Sequence, residues 1–510
     1  MEIQTPEGGV DRRELFVVAL VLAALHTVFW LRYWPLPHYD LNAYLEPGIL
    51  LATEGRLAGP GSQYLDLTLT QAAHFYPPGF ALLVGGWVAA FGAGLRSLLA
   101  YTHFVHAAYL FCLWILVRAR FGCDRLPSAL AVATAFPFFA HGRPDVTSLA
   151  LAAGAWAALP PALGASGSAA VARTLASSAL LGMSVLVSPS FGIGSAAAIG
   201  TYALIRPGMV LPARVRRLAL LIAASLVAFL GIWAAVLTWQ DAWAFGPEQF
   251  RVNAAIRGRE LNTLDIPASF YTLLFVAIPL GGLALAPALY AIVRRRRFAD
   301  SPLWLAAMTY MGGFVVWVAL SSQQLLIQHH FAYLARVPLH GTLAARISGV
   351  RRVGIPLVTA FLLIQFYYQK NELFYLFADL EGAYERAAEL PLQPGQVTAV
   401  DSPLFPVLYR EGTTLNYELV KANSWERYRD ATSPAVLALL PADVRAGPQR
   451  PDRVILSALG IIRAGIPDTT KYRYTGDQPL DIPRRRFLGR TIPMPQDPLS
   501  IYTFVRTDAP

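Results

Sequence analysis

The sequence predicts a polytopic α-helical membrane protein with a small soluble α/β domain at its carboxyl end. Three observations predict it. The 510 residues are 55% hydrophobic, and the mean hydropathy is +0.44. Charged residues make up 15%, against about 25% in soluble domains. Apolar runs near the roughly 20 residues needed to cross a bilayer recur up to about position 370.

The first run covers about Leu15 to Tyr33, behind Asp11-Arg12-Arg13-Glu14. It is too long for a signal-peptide core, and no small-x-small cleavage site follows. It reads as an uncleaved anchor with its amino end in the cytoplasm. A polar stretch, 34–77, follows. Further apolar runs cover roughly 78–95, 97–117, 126–140, 146–164, 174–187, 190–205, 217–238, 270–293, 302–321, 325–345 and 354–369. Together these predict about 11–13 transmembrane helices.

Cytoplasmic loops carry an excess of arginine and lysine. Arg206, Arg214, Arg216 and Arg217 mark one such loop, Arg294 to Arg297 the next, and Arg346, Arg351 and Arg352 a third. The stretch 240–269 and everything after Lys370 then lie outside. Working backwards, Arg173 falls inside, His141 to Asp145 outside, and Arg118, Arg120 and Arg125 inside. Twelve crossings from an inside start would leave the tail inside. Pro78 to Ala93, rich in Gly and led by Pro-Pro, is the run expected not to cross. The alternative is a single crossing over 174–205.

Residues 1–370 are expected to be the membrane unit and 371–510 the soluble extracytoplasmic domain. In the latter, Val397 to Val400 and Arg453 to Leu456 read as strands. A helix is expected to open at Pro434 behind Ser433. No motif in this part is assigned to chemistry; its expected role is to shape an acceptor site or cover the membrane unit.

The net charge of +10 comes almost wholly from arginine and mostly reflects cytoplasmic loops. No basic stripe interleaved with aromatics suggests nucleic-acid binding. Cys112 and Cys123 suggest neither a disulfide nor a metal site. Glu46 and Asp66 read as surface acids, because carboxylates are seldom buried.

An acid, Asp40, follows the first span. A Tyr44-x-x-x-Gly48 stretch comes next, and Tyr76-Pro77-Pro78-Gly79 starts the next apolar run. This pattern resembles the first external loop of the GT-C glycosyltransferases, integral-membrane enzymes that use polyprenyl-phosphate sugars. Oligosaccharyltransferases, protein O-mannosyltransferases and aminoarabinose transferases belong there. The resemblance covers about the first 345 residues. It implies a GT-C fold, inverting chemistry, a polyprenyl-phosphate sugar donor, and a glycan, lipid or protein acceptor on the extracytoplasmic side of the plasma or inner membrane.

The resemblance also implies roles. Asp40 matches the first-loop acid, the catalytic base. Tyr76 stands where the aminoarabinose transferases carry a phosphate-contacting lysine, so its hydroxyl or His74 would substitute. His141-Gly142-Arg143-Pro144-Asp145 resembles the second external loop of the oligosaccharyltransferase-like members. There Asp145 would orient the acceptor or the catalytic site, and Arg143 would meet phosphate. On the late span, His329, Tyr333 and Arg336 follow i, i+4, i+7 spacing and share a helical face. His329, His330 and Arg336 are candidates for the donor phosphate. Arg251 and Arg257 are weaker candidates on the loop 240–269. Many relatives carry a second acid beside the first. Here Leu41 and Asn42 follow Asp40, and one carboxylate is a poor site for Mg²⁺ or Mn²⁺, so metal dependence stays open. The rival reading is a transporter or flippase. Transporters tend to show internal repeats and broken helices at mid-membrane; here the ionisable groups gather in external loops.

Overall fold

The computed structural model describes residues 10–35, 41–57, 78–120, 122–136, 144–160, 167–188, 211–243, 351–368, 380–401, 403–409, 414–417, 433–439, 451–478 and 500–507, with short pieces and single positions between them. The helices are α1 (Arg12–Leu31), α2 (Leu41–Glu54), α3 (Gly79–Phe91), α4 (Leu95–Ile115), α5 (Arg125–Ala135), α6 (Pro144–Ala158), α7 (Ser168–Val187), α8 (Leu211–Trp239) and α9 (Arg351–Tyr368). A π-helical turn, Leu116–Arg120, extends α4.

Four of these stretches are long and apolar enough to cross a membrane: Arg12–Leu31, Leu95–Ala119, Ser168–Val187 and Val215–Trp239. Helix α1 starts at Asp11, whose side chain accepts from the Arg13 backbone N–H at 3.0 Å. Phe16, Val17, Leu20, Val21 and Val28 of α1 stand exposed, as do Ile222, Leu226, Val227 and Leu230 of α8. Apolar surface of this extent needs a cover, and lipid is the cover that suits an all-helical surface.

The two ends of the bundle differ. At one, Glu14 is buried between three donors. Arg118 Nε donates to its Oε1 at 2.6 Å, and Arg125 Nε to its Oε2 at 2.9 Å. Trp114 Nε1 donates to Oε1 at 3.2 Å. The start of α1, the end of α4 and the start of α5 therefore meet there. A single crossing between α1 and α4 would have put Glu14 and Arg118 at opposite ends. Helix α3 has 13 residues, about 20 Å at 1.5 Å per residue, short of the roughly 30 Å hydrocarbon core. A helix of that length is what the expectation of a non-crossing run at Pro78 to Ala93 requires. Arg173, near the start of α7, donates to the carbonyl of Ala158 at the end of α6.

After Ser188 the chain turns back sharply. A Cβ on Gly192 would lie 2.4 Å from the Val185 backbone; only a residue without a side chain allows that approach. Residues Ile199, Leu181 and Leu221 share one core cluster. Gly192 and Ile199 thus pack back against α7.

The opposite end carries the C-terminal domain. Helix α10 (Leu380–Ala388), the short α11 (Phe405–Leu408), α12 (Pro434–Leu439) and α13 (Ala458–Ala464) accompany a five-stranded sheet of order β2-β1-β3-β7-β4. Its strands are β1 (Thr398–Val400), β2 (Thr414–Asn416), β3 (Arg453–Ser457), β4 (Tyr472–Gln478) and β7 (Ile501–Arg506); β5 (Arg486–Phe487) and β6 (Arg490–Thr491) form a separate ribbon. Strands β1, β2 and β3 are parallel, and β7 runs antiparallel to β3 and β4. The expected strands at 397–400 and 453–456 and the helix opening at Pro434 are present.

The domain docks on Tyr33, Trp34 and Leu99 through Leu380, Tyr384, Leu404, Phe405 and Leu408. Arg96 bridges the joint: it donates to the Tyr33 hydroxyl and to Glu381. Burial, with the nearby Asp401 charge adding, keeps the Tyr384 hydroxyl protonated far above the usual tyrosine range.

Candidate active site

Two carboxylates are buried at the domain-bearing end of the bundle. Glu46, on α2, has no exposed surface, and Asp145, in the first turn of α6, is 1% exposed. Carboxylates are almost never fully buried unless paired, and ionisable groups within a membrane unit are functional candidates. Glu46 was expected at the surface. Residues 44–50 are buried all round instead, because the stretch after Asp40 folds into α2 and packs on α3. The stretch 34–77 is thus not wholly a loop. Gly48 makes the packing possible: a Cβ there would lie 2.6 Å from Val84.

Asp145 is held from below. Ser188, just past α7, donates to its Oδ1 at 3.5 Å. One turn along, Ser148 Oγ donates to the Ser184 carbonyl at 2.9 Å, and Ser184 Oγ returns a bond to the Ser148 carbonyl at 2.8 Å. Small hydroxyl residues let α6 and α7 approach closely and pair across the contact. A carboxylate in the first turn also complements the helix dipole.

The Pro-Pro-Gly corner meets the same place. A Cβ on Gly79 would stand 2.7 Å from the Leu186 backbone carbon. Glycine therefore lets the start of α3 seat against the end of α7, two residues from Ser188. Phe80, Tyr44, Leu45, Val146 and Val187 belong to one core cluster, with Tyr409 of the C-terminal domain packed against it. The Tyr409 hydroxyl donates to Glu46 Oε1 at 3.4 Å. Three stretches singled out in the sequence thus converge: the helix that begins immediately after Asp40, the Pro78-Gly79 corner and Asp145.

A second polar group fixes the exit of α1. His103 Nε2 lies 2.7 Å from the Trp34 carbonyl, and His103 Nδ1 lies 2.9 Å from His26 Nδ1. The carbonyl can only accept, so His103 Nε2 is the donor. With both rings neutral, His26 Nδ1–H then donates to His103 Nδ1. His106 stacks edge-on against His26, their ring centroids 5.1 Å apart. Sequence reasoning missed all three histidines, which sit inside apolar runs at positions 26, 103 and 106. The helical i, i+3 spacing of His103 and His106 was the available signal.

Asp145 is the one sequence-predicted site residue within the described residues. Asp40, His74, Tyr76, Arg143, His329, His330 and Arg336 lie outside them, as do Asp66, Arg251 and Arg257.

No protein-family model matches the chain, and no curated protein matches it in sequence. Solved structures do match it. ArnT from Cupriavidus metallidurans bound to undecaprenyl phosphate is 16% identical, with a TM-score of 0.54 over 89% of this chain and 94% of that one. The same protein in the apo state is 15% identical, with a TM-score of 0.50 over 88% of this chain and 94% of that one. Likeness at this level of identity is a likeness of fold: the chain is a polytopic helical protein with the GT-C fold.

Proposed function

We propose that this protein is an inverting membrane glycosyltransferase. It moves a sugar from a polyprenyl-phosphate donor to a glycan, lipid or protein acceptor on the extracytoplasmic side. The observation that supports this best is the convergence, within a GT-C fold, of α2, the Gly79 corner and Asp145 at one end of the bundle. The neighbouring ArnT was solved with undecaprenyl phosphate, a lipid of the proposed donor class.

In the proposed reaction an acceptor hydroxyl attacks the anomeric carbon from the face opposite the phosphate. The new glycosidic bond forms as the bond from carbon to phosphate oxygen breaks. Polyprenyl phosphate leaves with the electron pair. The acceptor proton passes to Asp40, the proposed base. Tyr76, His74, Arg143, His329, His330 and Arg336 are the proposed donors to the leaving phosphate, where fixed charge is worth most. Asp145 and Glu46 hold the wall of the site. The described residues do not form a metal-ligand set: no group of three or more His, Cys, Asp or Glu among them could hold an ion.

The test is purified full-length protein incubated with a panel of polyprenyl-phosphate sugars and assayed for release of lipid phosphate. Release with at least one donor, coupled to sugar transfer, supports the reading. Movement of intact lipid-linked sugar across a vesicle bilayer without release would replace it with a flippase.

A further inference from the structure

At the other end of the bundle a cavity of about 410 Å³ opens between the end of α4, the start of α5 and the start of α9. Arg118, Asp124, Arg125, Leu126, Ser348 and Ile355 line it. The two arginines differ in what they have left to give. Arg118 is largely committed: Nε and Nη2 bond Glu14, and Nη1 bonds the Cys123 carbonyl. Arg125 commits Nε to Glu14, and its side chain is 73% exposed. Its two terminal nitrogens are available to a ligand. Asp124 precedes α5, yet its side chain caps no backbone N–H. A cation and an anion thus stand side by side at the cavity, and neither is paired with the other.

The cavity opens beside Glu14, the third residue of α1, and so at the level where a spanning helix leaves the hydrocarbon. Leu126, in its lining, is 55% exposed, and Ile355, one turn into α9, is half-buried against it. These supply an apolar margin next to the charged pair. We propose that this cavity binds the headgroup of a membrane phospholipid carrying both a phosphate and a primary ammonium, that is, phosphatidylethanolamine. Arg125 takes the phosphate through its terminal N–H groups, and Asp124 accepts from the ammonium. The apolar margin begins the path of the acyl chains. Asp124 gives the ammonium of a zwitterionic headgroup an acceptor that a purely anionic headgroup would leave unused.

The test is native mass spectrometry of the delipidated full-length protein, titrated separately with phosphatidylethanolamine, phosphatidylcholine and phosphatidylglycerol. Phosphatidylcholine has the phosphate but no N–H to donate; phosphatidylglycerol has no cation. Phosphatidylethanolamine should bind about tenfold tighter than either, the equivalent of one charge-assisted hydrogen bond. Asp124→Asn should bring phosphatidylethanolamine down to the level of phosphatidylcholine. This variant disturbs no hydrogen bond within the protein. Arg125→Gln should weaken all three lipids together. Equal binding of the three by the wild type, tighter binding of phosphatidylglycerol, or an Asp124→Asn variant that keeps the preference would each overturn the proposal. Soluble glycerophosphoethanolamine binding as tightly as the lipid would overturn the lipid assignment.

Discussion

Tyr409 of the C-terminal domain donates its hydroxyl to Glu46, a fully buried carboxylate of α2, at 3.4 Å. The contact joins the segment just past β1 to the wall of the candidate site, so the domain is part of the site's architecture. Tyr409→Phe keeps the ring contact with Phe405 and removes the bond. It should cost about 1 kcal/mol of stability, the usual net value of such a bond. Glu46→Gln should lower transfer at least tenfold, while Tyr409→Phe lowers it less. Steady-state kinetics of both variants would check this. Unchanged rates in both variants would reduce Glu46 to a structural group.

Glu14 holds Arg118 and Arg125 together with the Trp114 indole. Glu14→Gln leaves Arg118, whose side chain is 21% exposed, without its counter-charge. Removing one partner of a buried ion pair costs roughly 3–5 kcal/mol; the exposure of Arg125 puts this case at about 3 kcal/mol or less. A lowered melting temperature in detergent, with lipid-phosphate release retained below the melt, is the expected outcome.

His103 bonds the Trp34 carbonyl and the His26 ring. His103→Ala leaves both without that partner. Each unsatisfied buried group costs about 1–3 kcal/mol, so the variant should melt several degrees lower. Trp34 precedes Asp40 by six residues, and transfer should fall as well. Full activity with a lowered melt would limit the histidines to stability.

The orientation of the bundle is open to direct labelling. In a Cys112→Ala, Cys123→Ala background, a cysteine at the exposed Glu389 should react with a membrane-impermeant thiol reagent in intact cells. One at the exposed Asp124 should react only after permeabilisation. The reverse pattern would turn the protein over and put the candidate site in the cytoplasm.

Much of this arrangement was legible in the sequence. Arginines 118, 125, 173, 216 and 217 marked loops at one side, and Arg118 and Arg125 meet at the Glu14 end. The run from Pro78 to Ala93, expected not to cross, holds a helix of 13 residues, short for a span. The strands at Val397 and Arg453 followed from β-branched runs. Glu46 was misread because burial was judged from residue type. Tyr44, Leu45, Ile49 and Leu50 flank it at helical spacing, and that apolar set around a lone acid was the signal for a buried stretch of helix. The spacing of His103 and His106 on α4 was a signal, but their meeting with His26 of α1, 77 positions from His103, was not legible. The strands β4 and β7 lack an apolar alternation strong enough to announce them.

The account rests on Asp40 as the base in transfer from a polyprenyl-phosphate sugar. The most direct measurement compares lipid-phosphate release by the wild type and Asp40→Asn with the responding donor, at equal protein and equal melting temperature. The amide keeps the shape of the carboxylate but cannot take the acceptor's proton, and losing a positioned base costs on the order of 10² to 10⁴ in rate. The account predicts a loss in that range with donor affinity unchanged. Release by Asp40→Asn at the wild-type rate would contradict it.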